Sequence, residues 1–237
     1  MAVKKKSKRY QELEEKIEKT PYTDLKKATQ VIKKVATADF TESVEAHVKL
    51  NIDPAQADQQ FRASLVLPHG TGRVTRVLVF ARGEKVKEAE EAGAEAVGGE
   101  DLIEKIEDGW FEFDQAVATP DMMSDVSVLG PVLGPRGLMP NNKAGTVTFD
   151  VAEVVGKLKK GQMELRNDQY GIIHTVVGTD EMTADELRDN LEAILKFIVE
   201  ERPVGVKGQG QYLESIVLAP TMGPSIKIAP AVAWDLL

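Results

Sequence analysis

The chain has 237 residues, of which 42% are hydrophobic and 29% charged, an ordinary balance for one large globular domain or two small ones. It contains no cysteine, which excludes disulfides, thiolate metal sites and cysteine nucleophiles and indicates a reducing, cytoplasmic compartment. The sequence has no apolar run long enough to span a membrane, and its basic start lacks the apolar core of a secretory signal.

The formal net charge of −8 is unusual for a nucleic-acid binder, which is expected to carry a basic surface. The charge is unevenly distributed along the chain. Residues 1–34 carry a net charge of +6, whereas residues 84–108 and 180–201 carry −7 and −6. Because the acids gather in two predicted helical segments, these segments can face away from a polyanion. Composition therefore argues only weakly against RNA as a partner.

The N-terminal part of the chain predicts two helices and a half-buried strand. The basic arm Lys4–Arg9 runs into a helix with Leu13 and Ile17 one turn apart, and it is either a solvated end or an element that attracts phosphates. A second helix begins at about Thr23, the predicted N-cap. The segment Ser43–Ile52 alternates strictly between apolar and polar residues, which predicts a strand with a polar outer face.

The middle of the chain predicts an α/β arrangement. Ala63–Leu67 is a strand that ends at Pro68, and His69–Gly72 is a hinge candidate because two glycines follow a proline. Beyond it, apolar strands alternate with short helices, which is typical of βαβ units. The predicted elements are a buried parallel strand in Val74–Ala81, helices at about Glu84–Ala92, Asp101–Glu107 and Val151–Lys160, a short helix after Pro120, and strands at Ala96–Val97, Gln115–Thr119 and Thr146–Phe149.

A stretch rich in glycine and proline, Leu129–Gly145, interrupts these units. Proline fixes φ and removes a hydrogen-bond donor, while glycine permits positive φ, so we expect neither a helix nor a central strand to run through it. Its leucines, valine and methionine are too apolar for a solvated linker. The stretch therefore predicts a rigid, partly buried loop, and such loops usually carry function.

The C-terminal part predicts strands at Met163–Asn167 and Ile172–Val177 around a turn at Asp168–Gly171. A capping box at Thr183–Glu186 opens a helix with an apolar stripe, and strands at Tyr212–Leu218 and Ile226–Ile228 follow. The predicted fold class is an α+β discontinuous domain built from both chain ends, residues 1–68 and 162–237. An inserted three-layer α/β, Rossmann-like domain occupies residues 69–161. Two connections between two such lobes would permit relative motion.

Catalytic or metal chemistry finds little support in the sequence. His47, His69 and His174 are the only histidines and lack metal-ligand spacing, so we predict no metal or cofactor and no catalytic residue. The glycines at 70–72 and 130–137 match neither GxxxxGK[ST] nor GxGxxG. A nucleotide-binding enzyme stays open as a minor alternative because the inserted lobe is α/β, although a fold does not identify a function. A protein-interaction module would also explain the acidic helices.

The segment Thr221–Ser225, read as TMGPS, interrupts two apolar strands and has two interpretations. It is either a tight turn or a platform for RNA, in which glycine permits close approach of a sugar–phosphate backbone, the hydroxyls bond to ribose and Met222 packs on a base or sugar. Phe40, just before the polar-faced strand, is likewise either a core residue or a stacking residue.

Several motifs together carry a family resemblance. They are LGPVLGPRGLMPNNKAG at Leu129–Gly145, ATADF at Ala36–Phe40, LPHGTG at Leu67–Gly72, EAEEAGAEAVGGEDLIEKI at Glu88–Ile106, LRND at Leu165–Asp168 and TMGPS at Thr221–Ser225. The chain resembles the bacterial form of the L-one family of large-subunit ribosomal proteins over nearly its whole length. The resemblance implies a non-catalytic RNA binder with the same two-lobed layout.

The resemblance also implies an RNA surface on the discontinuous lobe. Carried over position by position, its residues are Phe40, Ser43, Glu45, His47, Lys49, Arg166, Asp168, Thr221, Met222, Gly223 and Ser225. Glu45 would accept hydrogen bonds from base amines or ribose hydroxyls, because a carboxylate cannot bind phosphate directly. Many relatives have a lysine beside the phenylalanine where this chain has Asp39, which puts one phosphate contact in doubt.

The implied function is that of a ribosomal protein, monomeric within the ribosome, which binds large-subunit ribosomal RNA at the mobile stalk beside the tRNA exit site. The resemblance further implies assistance with the release of deacylated exit-site tRNA and repression of translation through binding of its own mRNA. Given the excess of acids, shape and ribose contacts would dominate over long-range charge. The loop Leu129–Gly145, whose only charges are Arg136 and Lys143, is a candidate for a secondary contact with the stalk or with the first lobe.

Overall fold

The computed structural model describes residues 6–206 and 212–237, so Lys4 and Lys5 of the predicted basic arm lie outside the described residues. The chain is a mixed α/β protein with several sheets. It divides into two compact units, unit 1 (Met1–Arg73 with Leu165–Leu237) and unit 2 (Val74–Glu164). The predicted bounds, 1–68 with 162–237 and 69–161, fall close to this division, and whether the units are independent domains stays a prediction.

The regular elements follow the chain in this order. The helices are α1 Lys8–Glu14, α2 Leu25–Val35, α3 Glu84–Glu91, α4 Glu100–Glu107, α5 Met123–Val126, α6 Gly130–Leu133, α7 Val151–Lys159, α8 Ala184–Glu200 and α9 Ala231–Asp235, with 3₁₀ turns at Ser127–Leu129 and Asn142–Ala144. The strands are β1 Ser43–Leu50, β2 Arg62–Val66, β3 Val77–Phe80, β4 Ala96–Gly98, β5 Gln115–Ala118, β6 Gln162–Arg166, β7 Ile172–Thr179, β8 Leu213–Pro220 and β9 Ile226–Ile228. Among the described residues, every helix is too short or too polar to cross a bilayer.

Unit 1 contains a four-stranded antiparallel sheet with the strand order β7-β1-β8-β9. The predicted alternation of β1 is confirmed, since Val44, Ala46, Val48 and Leu50 are fully buried while the residues between them are partly exposed. The buried side of the sheet packs against α2 and α8. We call the opposite side the outer face, and it bears the alternate residues of each strand.

The helices of unit 1 begin at identifiable caps. The predicted capping box is confirmed, because the Thr183 hydroxyl accepts from the Glu186 amide at 3.2 Å and the Glu186 carboxylate accepts from the Thr183 amide at 2.8 Å. Thr23, by contrast, is not the cap of α2. Asp24 is, with its carboxylate accepting from the amides of Lys26 and Lys27, because a carboxylate satisfies free amides at a helix start better than a hydroxyl can.

Unit 2 contains a parallel three-stranded sheet with the order β4-β3-β5 and an apolar cluster on each side. Alternate residues of β3 enter the two clusters, since Leu78 and Phe80 belong to one while Val77 and Val79 belong to the other. The first cluster includes residues of α4, α5 and α6, and the second includes residues of α3 and α7. The sheet is therefore covered by helices on both sides.

The Leu129–Gly145 stretch differs from its prediction. A helical turn, α6, does run through it, with Pro131 near the N-terminus of the helix. Proline is tolerated there because the first amides of a helix need no intrahelical acceptor. The predicted partial burial is confirmed, since Leu129 and Leu133 are fully buried.

Other strand predictions need correction. Thr146–Phe149 forms only an isolated bridge, between Val147 and Ala118, and β3 is shorter than predicted, with Val74 87% exposed. The strands β6 and β7 do flank the turn at Asp168–Gly171, as predicted, and an isolated antiparallel bridge joins Asn167 to Ile173. Their main partners lie elsewhere, since β6 pairs with β2 and β7 pairs with β1. Periodicity identifies strands but does not specify their partners, which depend on contacts between distant segments.

Candidate nucleic-acid interface

The outer face carries a row of polar side chains from β1. Glu45, His47 and Lys49 are all partly exposed and alternate with the buried residues of the strand. Across the sheet, His47 lies opposite His174 of β7 and Val217 of β8. The face therefore mixes both signs of charge with imidazoles and small apolar side chains.

At the β1 N-terminal end of this face, two distant segments meet at one carboxylate. Glu42 is fully buried, and its two carboxylate oxygens accept from the Ala38 amide at 2.9 Å and from the Met222 amide at 2.7 Å. We call residues 38–43 and 221–223 the Glu42 junction. The junction holds the predicted Phe40 and Met222 neighbourhoods together.

Further hydrogen bonds tie the junction to both chain ends. The Ser43 amide donates to the Thr221 hydroxyl at 3.0 Å, and Arg73 donates to the Ser43 hydroxyl at 2.7 Å. Arg9 donates to the Thr37 hydroxyl at 2.9 Å and to the Met222 carbonyl at 2.7 Å. The junction is thus rigid in its backbone and carries two guanidinium groups.

The two large apolar side chains of the junction are not part of the core. Phe40 is 53% exposed and Met222 is 51% exposed. An exposed aromatic ring and an exposed thioether on a rigid backbone can pack on a base or sugar at little entropic cost. Ser225, also exposed, adds a hydroxyl close by in sequence.

Gly223 has a structural reason to be glycine, in addition to the approach of RNA that the sequence predicts. A Cβ atom at this position would lie 2.7 Å from the Val35 carbonyl oxygen and 2.6 Å from Pro220 Cγ. Glycine is therefore required at residue 223 because Val35, the C-terminal residue of α2, lies so close to it. A larger residue would disturb the fold of the junction, so loss of RNA binding by a Gly223→Val protein would not identify an RNA contact.

At the opposite end of β1, Asp168 organises the turn between β6 and β7. Its Oδ1 accepts from the amides of Tyr170 and Ile172, both at 2.8 Å, and its Oδ2 lies 3.4 Å from His174 Nε2. Desolvation works to raise the pKa of Asp168, but the hydrogen bonds from Ile172, Tyr170 and His174 outweigh it and lower that pKa below its ordinary value. We call residues 168–171 the Asp168 turn.

The Asp168 turn connects to the outer face through its neighbours. Lys49 Nζ donates to the Tyr170 carbonyl, and the Nδ1 atoms of His47 and His174 are 2.9 Å apart. Burial, and then the proximity of His174, lower the pKa of His47, while Glu45 opposes them. The carboxylate of Glu45 lies 3.8 Å from His47 Nε2, so a continuous polar chain runs from Glu45 to Asp168.

The structure therefore sorts the predicted site residues into groups. The Glu42 junction brings together Phe40, Ser43, Thr221, Met222 and Gly223, and the outer face with the Asp168 turn brings together Glu45, His47, Lys49 and Asp168. Arg166 is exposed on β6, outside the four-stranded sheet. Ser225 precedes β9 at its edge.

Sequence reasoning did not single out Glu42 or Arg73. Both act through partners far away in the chain, and no local pattern indicates a buried carboxylate at residue 42. Arg9 was visible only as part of the basic arm. Its specific partners, Thr37 and Met222, are 28 and 213 residues away in the chain, so no local pattern indicates them.

The described residues offer little to a metal or a nucleotide. No cluster of three histidine, aspartate or glutamate side chains in residues 6–206 and 212–237 could hold a metal ion. In unit 2, Arg82 is paired with Glu100 at 2.8 Å and with Asp125 at 3.1 Å. The first turns of α3 and α4 carry acidic residues, which disfavour a bound phosphate.

Comparison with known proteins gives consistent matches. The model of the ribosomal protein L1p/L10e family matches residues 32–224. The large ribosomal subunit protein uL1 of Thermosipho melanesiensis is 51% identical over 228 residues, which cover 96% of this chain and 97% of that protein. The large ribosomal subunit protein uL1 of Thermus thermophilus is 48% identical over 227 residues, which cover 95% of this chain and 98% of that protein.

Proposed function

Because the chain belongs to the ribosomal protein L1p/L10e family, we propose that it binds large-subunit ribosomal RNA through the outer face and the Glu42 junction. Family membership makes it a structural, non-enzymatic protein of the large ribosomal subunit and a component of cytoplasmic ribosomes. The proposed RNA-binding residues are those predicted from the sequence, and Gly223 has in addition the structural role described above.

One observation carries this proposal. Phe40 and Met222 come from opposite parts of the chain, and both stay about half exposed on a backbone held by a single buried carboxylate. A folded core would bury such side chains, since each buried apolar side chain contributes about 1.5–3 kcal/mol. Their exposure next to a polar sheet face is what an RNA platform requires.

The mechanism relies on shape and ribose contacts more than on long-range charge. The outer face carries Glu45 as well as Lys49, so it cannot act as a uniformly basic track. Meanwhile α8, with most of the acids of residues 180–201, packs on the opposite side of the sheet. We therefore expect a weaker dependence of affinity on salt than proteins with roughly 6–10 phosphate contacts display.

A gel shift with a ribosomal stalk fragment tests the proposal. The wild-type chain should bind, and Phe40→Ala and Met222→Ala should each weaken binding, the first by about tenfold, which is the size of one base-stacking contact. Phe149→Ala is the matched control, because Phe149 is 55% exposed but belongs to unit 2. Absence of a shift by the wild-type protein would contradict the proposal.

A filter-binding titration against KCl tests the mechanism separately. A shallow slope is expected, and a slope as steep as that of a binder with many phosphate contacts would overturn the shape-based account. Equilibrium dialysis with ATP addresses the alternative of a nucleotide-dependent enzyme, for which no binding is expected.

The finer roles belong to the same proposal. The sequence motifs support binding at the mobile stalk, assistance with release of deacylated tRNA from the exit site, and repression of translation by binding of the chain's own mRNA. If one surface serves both RNAs, an mRNA leader and a stalk fragment should compete, and Met222→Ala should weaken both to the same extent. Independent binding of the two RNAs would exclude a shared surface.

The Leu129–Gly145 stretch is proposed as a secondary RNA contact. Deleting it would remove Leu129 and Leu133 from the unit 2 core, so a point substitution is the better test. Arg136 is exposed, and its guanidinium lies 3.9 Å from the centre of the Phe111 ring. Arg136→Ala should weaken stalk binding slightly, and an unchanged affinity would count against this contact.

A further inference from the structure

A second exposed aromatic residue lies at the end of β1 opposite the Glu42 junction. Tyr170 is 64% exposed and occupies the Asp168 turn. We propose that Tyr170 is an RNA-binding residue that stacks on an unpaired base next to the bound stem. This inference rests on the proposed function, because it extends the same interface by one contact.

The backbone under Tyr170 is fixed by several hydrogen bonds. Its amide donates to Asp168 Oδ1 at 2.8 Å, and its carbonyl accepts from Lys49 Nζ. The Asp168 amide donates to the Ile172 carbonyl at 2.8 Å, and the Gly171 amide donates to the Asp168 carbonyl at 3.1 Å. The ring is therefore presented by an ordered turn and not by a loose loop.

The turn is also packed against the end of β1. Gly171 has φ of +74°, and a Cβ atom there would lie 3.1 Å from Ile52 Cγ1 and 3.3 Å from the Leu50 carbonyl oxygen. The Leu50 amide donates to the Gly171 carbonyl at 2.8 Å. This packing fixes the position of the turn relative to the outer face.

The side chain of Tyr170 is not needed to hold this structure. Among residues 6–206 and 212–237, no hydrogen bond, ring contact or cation engages its hydroxyl or ring. A large ring left outside the core on a fixed backbone has most of its surface available to a ligand. Stacking would order only two side-chain dihedrals, so the entropic cost of binding is small.

The position of Tyr170 selects the kind of RNA partner. The eight residues of β1 extend over roughly 23 Å at about 3.3 Å per residue, so the turn and the Glu42 junction contact different nucleotides. A base inside a duplex is already stacked on its neighbours and cannot take up a protein ring. An unpaired base in a loop, bulge or flank can do so, and aromatic residues recognise such bases by stacking.

The electrostatic surroundings fit an RNA ligand better than a protein ligand. Lys49 lies at the turn through its contact with the Tyr170 carbonyl, and the imidazole of His174 lies beside Asp168. The Asp168 carboxylate is occupied by two backbone amides, so much of its charge is compensated locally. A turn that carries both an exposed ring and, at its backbone carbonyl, a lysine ammonium suits a nucleotide, whose base can stack on the ring and whose phosphate can bind the ammonium.

Binding by three Tyr170 variants to one stalk fragment tests the inference. Tyr170→Ala should lose about 5- to 150-fold in affinity, which is the loss of one base stack of about 1–3 kcal/mol converted at 1.4 kcal/mol per tenfold. Tyr170→Phe should keep most of the affinity because the ring remains. Tyr170→Leu should behave like alanine, and wild-type affinity of the leucine or alanine variant would overturn the inference.

A second RNA, trimmed to the stem without its unpaired nucleotides, completes a double-mutant cycle. On the trimmed RNA, wild type and Tyr170→Ala should bind equally, because the stacking partner has been removed. An equal loss on both RNAs would show that the substitution acts through the fold and would refute stacking. Failure of the wild type to bind either RNA would refute the proposed function itself, whereas wild-type binding with an inert Tyr170 would refute only this inference.

Discussion

The two ends of the outer face are each held by a carboxylate, but the two carboxylates act over different distances. Asp168 accepts from amides two and four residues ahead in its own turn. Glu42 accepts from Ala38 and from Met222, a residue 180 positions away. Asp168 is partly exposed, whereas Glu42 is fully buried. The Asp168 turn is thus a local structure, while the Glu42 junction exists only when the two parts of unit 1 have come together.

The different burial of the two carboxylates predicts that substitutions at the two ends lower the free energy of unfolding by different amounts. An amide that loses a partly exposed acceptor can readily bind water instead, but an amide that loses a fully buried acceptor is harder for water to reach. Changes at the Glu42 junction should therefore cost more stability than equivalent changes at the Asp168 turn. Four substitutions, in decreasing order of expected effect, test this difference.

The largest effect is expected from Glu42→Ala. It removes the acceptor of two backbone amides, Ala38 and Met222, and at about 1–3 kcal/mol for each unsatisfied group the free energy of unfolding of unit 1 should fall by roughly 2–6 kcal/mol. Urea unfolding followed by tryptophan fluorescence measures this loss. In a Trp110→Phe background the remaining tryptophan, Trp234, belongs to unit 1 and reports on its unfolding.

Glu42→Gln is the control for that experiment. Its amide oxygen can still accept one of the two hydrogen bonds, so it should lose clearly less stability than the alanine variant. RNA affinity should fall with stability in both variants. If Glu42→Ala unfolds at the wild-type urea concentration, the carboxylate does not hold the junction.

The next effect is expected from Gly223→Ala. The new Cβ atom would meet the Val35 carbonyl oxygen at 2.7 Å, and overpacking of this kind costs about 1–3 kcal/mol. Gly156→Ala is the matched control, since Gly156 lies inside α7 with open space around it. That variant should gain up to about 1 kcal/mol from helix propensity. Urea unfolding of both variants makes the comparison, and an unchanged Gly223→Ala midpoint would mean that the α2 backbone moves aside without cost.

The same local and distant contacts explain how far the sequence predicts the structure. Patterns within ten or so residues identified β1, the capping box at Thr183 and the alternating strands and helices of unit 2. The glycines and prolines of Leu129–Gly145 predict no helix, whereas α6 does form there because proline fits the first turn of a helix. The pairing of β6 with β2 depends on contacts that no local pattern encodes.

The candidate site divides in the same way. The polar face of β1 and the turn at Asp168 follow from alternation and turn chemistry, so those residues could be selected from the sequence. The role of Glu42 could not, because its partner Met222 is brought close only by the sheet order β7-β1-β8-β9. The predicted hinge at His69–Gly72 shows the same limit. Asn190 of α8 accepts from the His69 amide and donates to the Gly70 carbonyl, which holds this segment to unit 1.

A smaller effect is expected from the Asp168 turn. Asp168→Ala should cost about 1 kcal/mol, because Asp168 is partly exposed and water can replace its carboxylate as the acceptor of the Tyr170 and Ile172 amides. The lowered pKa of Asp168 makes its contribution present above the ordinary pKa of 3.8 and lost as the pH falls through the lower value in the folded protein. The urea midpoint of the Asp168→Asn protein should therefore fall less between pH 5 and pH 2 than the urea midpoint of the wild type does. An equal change in the two proteins would mean that Asp168 does not contribute to the acid sensitivity.

The smallest effect concerns His47, which lies on the outer face between the two anchored ends. Burial, followed by His174, lowers the pKa of His47 below 6.5, while Glu45 opposes the shift. The unfolded chain therefore takes up a proton at this residue before the folded chain does, so stability is full above pH 6.5 and declines as the pH falls towards the lowered value. His174 lies between His47 and Asp168: its Nδ1 is 2.9 Å from His47 Nδ1, and its Nε2 is 3.4 Å from Asp168 Oδ2.

His47→Gln should remove this part of the decline in stability between pH 7.5 and pH 5.5. His174→Gln should make the decline shallower, because one cause of the lowered pKa of His47 is gone. If urea unfolding of the His47→Gln protein declines as steeply as that of the wild type, the acid sensitivity in this range originates elsewhere, and the outer face is electrostatically independent of the two anchored ends.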